Sequence, residues 1–369
     1  MLKTVVTVLK VEDRKITIEA CEKHDFRVFK IFEKSDSFTS FVDLRTKRFI
    51  LDSIKELEKK VEAKIKDIFI LVSSSTNTLK VETLSYKMPL KNEAYEAYEA
   101  QNDLNNLLNE SLEKLEQKLI KKQIISTRIE DNNLIQNLSL VTLEKTFFDD
   151  LVKTLKEVKV NIAQIRLLDD FKISKVNEKS AISFIKLDNF KLTFSLFANK
   201  NLIKVETIDL GLNNLIEQIS ETFDLSFKMS WNLLNLYFTQ NESFASNVLV
   251  NKFQFETLVK KFFENVEQKY LALIYKNQLT NLAIKPYLVG EKNLTFSFKK
   301  LVSSFNEFNV LSNSKSYLVS DEINALVEEL SQNVVKKDEQ TLTLESFQIA
   351  SKLILQTKRI KHKKLALFL

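Results

Sequence analysis

Two glycines and two prolines in 369 residues limit this chain more than any motif it contains. Average usage would supply about 25 glycines and about 18 prolines. Glycine lets a backbone approach a ligand closely and turn through left-handed conformations. Gly211 and Gly290 alone cannot furnish a G-x-x-x-x-G-K-[ST] loop or a G-x-G-x-x-G fingerprint. The bias extends to surplus Lys, Asn, Ile and Leu and to 28 phenylalanines, the pattern of AT-rich coding. Such drift spares glycine where the backbone requires it mechanically, so Gly211 and Gly290 mark positions of that kind.

The remaining composition is that of a folded protein, 44% hydrophobic and 28% charged. The length predicts two lobes, each with its own core. A net charge of +6 is too mild for a dedicated nucleic-acid binder, and no nucleic acid is expected. Cys21 is the sole cysteine, which excludes an intramolecular disulfide and fits a reducing compartment. Residues 1–10 alternate like a strand rather than forming the apolar run of a signal peptide. No window reaches 18 uninterrupted apolar residues, so a cytoplasmic protein is expected.

With only His24 and His362, zinc sites and histidine triads have almost no material, and no metal site is expected. Cys21-Glu22-Lys23-His24 has metal-ligand spacing but no second half, and reads as a turn between strands. The acidic pairs Asp149-Asp150 and Asp169-Asp170 read as solvated residues, and Trp231 as core filler.

Periodicity organises the chain into a repeated pattern. Strands are expected at 4–11, 15–20 and 26–32, then a helix over 46–66 and a buried strand at 68–72. Residues 93–100 form a short acidic low-complexity stretch leading into a helix that carries Leu104, Leu107, Leu108, Leu112, Leu115 and Leu119. Strands at 123–129 and 137–142 and a helix over 145–157 complete a small α+β module. The opening pattern then returns, with strands at 181–187, 191–197 and 202–210 and helices over 212–222, 226–237 and 253–276. A strand at 284–289 meets Gly290, and an amphipathic helix begins near Ser297. The expected class is α/β with an α+β insertion.

Several stretches, in order, resemble the bacterial cell-division protein FtsA of the actin/Hsp70-like superfamily. Residues 194–211 resemble its second-lobe hairpin, 136–168 the end of its inserted subdomain and 258–282 its long helix. Residues 287–294 stand where the family has V-L-T-G-G-G-S-x-L, and 345–356 resemble its closing helix. The resemblance implies an actin-like two-lobed fold, each lobe a mixed sheet with a three-strand meander flanked by helices. It implies a first-lobe core from 1–82, 167–180 and 338–369, and an inserted subdomain at 83–166. The second-lobe core would take 181–225 and 280–337, with an outer helical subdomain at 226–279.

In that family, ATP is gripped by two glycine hairpins, D-I-G-T-S-K and D-I-G-A-G-T-T, each with an aspartate that positions Mg²⁺ and water. Here the first corresponds to Lys10-Val11-Glu12-Asp13-Arg14-Lys15, with Lys10 for the aspartate, Glu12 for the glycine and only Lys15 kept. The second corresponds to Lys186-Leu187-Asp188-Asn189-Phe190-Lys191-Leu192, with Lys186 for the aspartate and Asp188 and Phe190 for the glycines. Of the adenosine-loop glycines Gly290 remains, followed by Glu291. Carboxylates at phosphate-facing positions repel a triphosphate. The expectation is therefore a pseudo-ATPase without cofactor. Lys10 and Lys186 are free either to bind phosphate or to pair with Glu12 and Asp188 and hold the cleft closed.

Lys358, Arg359, Lys361, Lys363 and Lys364 precede an apolar end that includes Phe368, a pattern suited to an anionic membrane surface. The resemblance also implies FtsZ as partner, an amphipathic membrane-targeting C-terminus and self-association into protofilaments. The leading expectation is a non-catalytic division or cytoskeletal adaptor, peripheral at the inner face of the membrane. A residual ATPase of the actin/Hsp70 type and a basic-tailed scaffold unrelated to division are the alternatives.

Overall fold

The computed structural model describes residues 4–24, 27–89, 106, 108–110, 112–130, 133–174, 176, 181–239, 250–276, 284–291, 309–313 and 326. Two five-stranded sheets and one three-stranded sheet organise them.

The first sheet opens with an antiparallel meander, β1 (Thr4–Val11), β2 (Lys15–His24) and β3 (Arg27–Ser37). Parallel to β1 runs β4 (Asp67–Val72), and parallel to β4 runs β8 (Asn161–Leu167), giving the order β3-β2-β1-β4-β8. The central strands are rich in Val and Ile and buried on both faces, where β-branched side chains pack well. Helix α1 (Leu44–Val61) lays Ile50, Ile54 and Leu57 against the sheet. Asp43 caps it by accepting the Arg45 amide at 3.2 Å. The helix ends five residues before the expected 66, because Glu62 takes the left-handed conformation that terminates it.

The second sheet repeats the plan. Its meander is β9 (Ala181–Leu187), β10 (Leu192–Ala198) and β11 (Asn201–Ile208). Parallel strands β12 (Ile284–Glu291) and β13 (Asn309–Asn313) give the order β11-β10-β9-β12-β13, the same as in the first sheet. Helices α4 (Leu212–Phe223), α5 (Phe227–Thr239) and α6 (Lys252–Lys276) pack on it around Phe194, Leu215, Phe255, Phe262 and Phe263. Trp231 is partly buried at the edge of that core.

Between these halves lies the inserted module, the antiparallel sheet β5 (Leu79–Pro89), β7 (Asn133–Glu144) and β6 (Gln117–Glu130), in the order β5-β7-β6. Helix α2 (Lys145–Glu157) has the expected bounds. The leucine helix differs from expectation. Leu108 and Leu112 are buried, but Leu115 is 53% exposed in a turn and Leu119 lies on β6. Glu116 enters the left-handed region at φ 51° and ends that turn. Sheet membership also departs from the expected subdomain bounds of 83–166: β5 enters the module four residues earlier, and β8 pairs with β4 of the first sheet. A short helix, α3 (Leu168–Ser174), follows β8.

Candidate functional site

Both hairpins expected at the cleft are present and close alike. The Glu12 amide donates to the Lys15 carbonyl at 2.9 Å, and the Asp188 amide donates to the Lys191 carbonyl at 2.8 Å. Gly211 explains its own survival. Its φ is −127°, which any residue adopts, but a Cβ there would lie 2.3 Å from the Asn189 carbonyl oxygen and 2.4 Å from the Phe190 backbone. The start of α4 is pressed onto the second hairpin, with the Leu212 and Asn213 amides donating to the carbonyls of Asp188 and Asn189 at 3.0 and 2.8 Å.

Charges from the two hairpins meet directly. Lys186 Nζ lies 3.1 Å from Glu12 Oε1 and 3.0 Å from Asp188 Oδ2, with its side chain 12% exposed. Lys191 Nζ, also buried, is 3.0 Å from Asp13 Oδ1 and donates to Asn77 Oδ1. The Arg14 guanidinium stands 3.9 Å over the Phe190 ring. Each carboxylate on the first hairpin therefore faces an ammonium on the second, and a cation–π contact closes the rim.

Lys186 holds the Glu12 carboxyl at about 2 against the opposing effect of burial, with Lys172 and Lys15 adding to the field. Burial by itself would lower the Lys186 pKa. Glu12 and Asp188 overcome that and raise it above the usual lysine range. Both groups stay ionised throughout the physiological range.

Beneath the hairpins, the loop after β4 supplies a buried hydroxyl seam. Ser73 and Thr76 bond the Val11 carbonyl through a backbone amide at 2.9 Å and a side-chain hydroxyl at 3.4 Å. The Ser74 amide donates to Asp169 Oδ2 at 3.1 Å, and Ser195 Oγ donates to Ser74 Oγ at 2.9 Å. Asp169 is thus buried and engaged, not solvated as its sequence context predicts. Asp170 pairs with Lys121 of β6 at 2.7 Å, and burial raises its carboxyl. Asp149 is exposed as expected.

The other predicted positions separate. Lys10 does not join Glu12 or Asp188, because its strand directs it to Glu19 on β2, 2.9 Å away. Lys15 is exposed beside the first hairpin. Gly290 and Glu291 end β12 in register with Ser312 and Asn313, so both belong to the strand rather than to a loop beyond it. Cys21 and His24 lie on β2, not in a turn. Burial pushes the Cys21 thiol up to about 12. Among the described residues no three His, Cys, Asp or Glu side chains group as metal ligands, and no helix is long and apolar enough to cross a membrane. The C-terminal residues 358–369 lie outside the described residues, as do the expected helices near 297 and at 345–356.

These side chains do not fit a magnesium nucleotide. A triphosphate between the hairpins would meet the carboxylates of Glu12, Asp13 and Asp188 and would have to take Lys186 and Lys191 from them. The contact of Lys186 with Glu12 was one of the two expected alternatives, and the Lys191–Asp13 contact is what sequence reasoning missed. The complementary signs at 12–13 and at 186 and 191 were the available signal.

No family model matches the chain, and no curated protein matches it by sequence. Solved structures do match. The PilM–PilN type IV pilus biogenesis complex is similar with a TM-score of 0.56 at 8% identity, over 83% of this chain and 87% of that one. MreB 5 of Spiroplasma citri bound to AMPPNP gives 0.47 at 7% identity, over 91% and 98%. The ethanolamine utilization protein EutJ from Carboxydothermus hydrogenoformans gives 0.46 at 6% identity, over 85% of each chain. The chain has an actin-like fold; the likeness is one of fold alone and does not single out FtsA.

Proposed function

We propose that this protein is a non-catalytic adaptor in cell division or a related cytoskeletal assembly, with a cleft closed by its own side chains instead of by nucleotide. Lys186 carries this reading, because one buried ammonium neutralises a carboxylate from each hairpin where the fold would otherwise hold phosphates. The similarity to a structure solved as a two-protein complex supports a role in assembly.

The partner surface we favour is the outer helical layer of the second lobe. There Phe227 and Met229 on α5 are 47% and 55% exposed and Phe253 on α6 is 79% exposed. The resemblance to FtsA makes the C-terminal tail of FtsZ the first partner to test. The basic segment around Lys358, Arg359, Lys361, Lys363 and Lys364, with Phe368, would tether the adaptor to anionic lipid, each cation adding about 1 kcal/mol.

A fluorescent ATP analogue titrated with and without Mg²⁺ tests the cleft. No saturation up to millimolar concentration is expected. Saturable micromolar binding would overturn the reading in favour of a residual ATPase. Immobilised FtsZ tail peptide should retain the protein and lose it on Phe253→Asp or Met229→Asp. Equal retention of wild type and both variants would remove the helical layer as the docking site.

A further inference from the structure

We infer that the inserted module latches the two lobes into a single closed state, so that this protein does not hinge. The inference deepens the adaptor reading of the same cleft and rests on it only for its biological consequence.

The geometry comes from three successive residues of β11. Asn201 Nδ2 donates to the Ile124 carbonyl of β6 at 3.4 Å, Ser139 Oγ of β7 donates to the Leu202 carbonyl, and Thr83 Oγ1 of β5 donates to the Ile203 carbonyl at 3.3 Å. The start of β11 therefore crosses the face of the module sheet and meets each of its strands in turn. Asn199 and Lys200, at φ 50° and 63°, make the tight turn that delivers it there.

Under these polar contacts one buried cluster reaches all three sheets, while the helical face of the second sheet keeps a core of its own. Val11 and Ile16 of the first sheet, Val141 and Leu143 of the module, and Phe184 and Phe197 of the second sheet belong to one buried cluster. The two phenylalanine rings are 4.8 Å apart between centroids. Opening the lobes would expose that cluster to water as well as break the charge contacts at the hairpins. Hydrophobic burial is non-directional and is not weakened by salt, whereas the largely buried ion pairs between the hairpins are still screened in part. The two fastenings therefore respond differently to salt, which makes them separable by experiment.

Spin labels on Lys59→Cys in α1 and Lys261→Cys in α6 report the distance between the lobes in the full chain. Both positions are exposed, and native Cys21 is fully buried. Pulsed dipolar spectroscopy should give one narrow distance distribution, unchanged in Mg-ATP and unchanged at high salt. Broadening at high salt alone would mean that ion pairs hold the lobes and would overturn the latch while leaving the adaptor reading intact. A distribution already broad in the absence of ATP and indifferent to it would do the same. A shift of the modal distance on adding Mg-ATP would overturn both.

Discussion

At the scale of single residues, Glu12 and Gly211 show how a glycine-poor chain keeps a glycine fold. Glu12 occupies a hairpin position where close backbone approach is no longer needed, because its own carboxylate takes up the charge of Lys186. Its folded pKa of about 2 lies below its ordinary 4.5. The resulting stability is present above the unfolded value and is lost as pH falls through the folded one. On the order of 2–3 kcal/mol is expected to disappear between about pH 5 and about pH 2. Urea unfolding across that range checks it, and Glu12→Gln should flatten that part of the profile. Gly211 answers a different demand, since its hydrogen faces backbone atoms that cannot move aside. Gly211→Ala is expected to cost about 2 kcal/mol or more, read from the denaturation midpoint.

Elements show the same substitution of other residues for glycine. Glu62, Glu116, Lys159, Asn199, Lys200 and Asp224 all hold positive φ, and among the described residues no left-handed position is a glycine. Glu62 and Asp224 end α1 and α4, and each cap amide reaches back to a carbonyl of the last turn. A side chain in that conformation costs about 1–2 kcal/mol, partly offset by the smaller entropy loss of a non-glycine residue on folding. Glu62→Gly should therefore stabilise the protein by about 0.5–1 kcal/mol, seen as a raised thermal midpoint. The opposite sign would mean that Glu62 contributes contacts beyond its backbone role.

For the whole molecule, two sheets of identical strand order are joined by a module that contacts both. The shared cluster under β11 couples lobes that the sequence presents as separate cores. One cooperative unfolding transition is expected, with the fluorescence of Trp231 in the second lobe coinciding with far-UV circular dichroism of the whole chain. An earlier Trp231 transition would show that the second lobe unfolds by itself.

Much of the fold was legible because strand and helix periods are local. The bounds of β1 and α2 and the return of the meander follow from spacings of two to four residues. β5 received no assignment from the sequence, although Leu79, Val81 and Thr83 alternate with polar residues, because its partner β7 begins more than 40 residues further along the chain. The resemblance to FtsA, not periodicity, marked residues 10–15 and 186–192 as the cleft hairpins and their glycines as lost. Sequence left Lys186 between a phosphate ligand and an internal counter-ion. It also could not say that Lys10 turns to Glu19, or that Asp169 is buried under Ser74. Composition and local spacing determined that this chain builds two similar α/β halves without a glycine phosphate loop. Only the tertiary structure decided what replaces that loop, because Lys186 and Glu12 are 174 residues apart and their pairing exists only once both sheets have closed on the module.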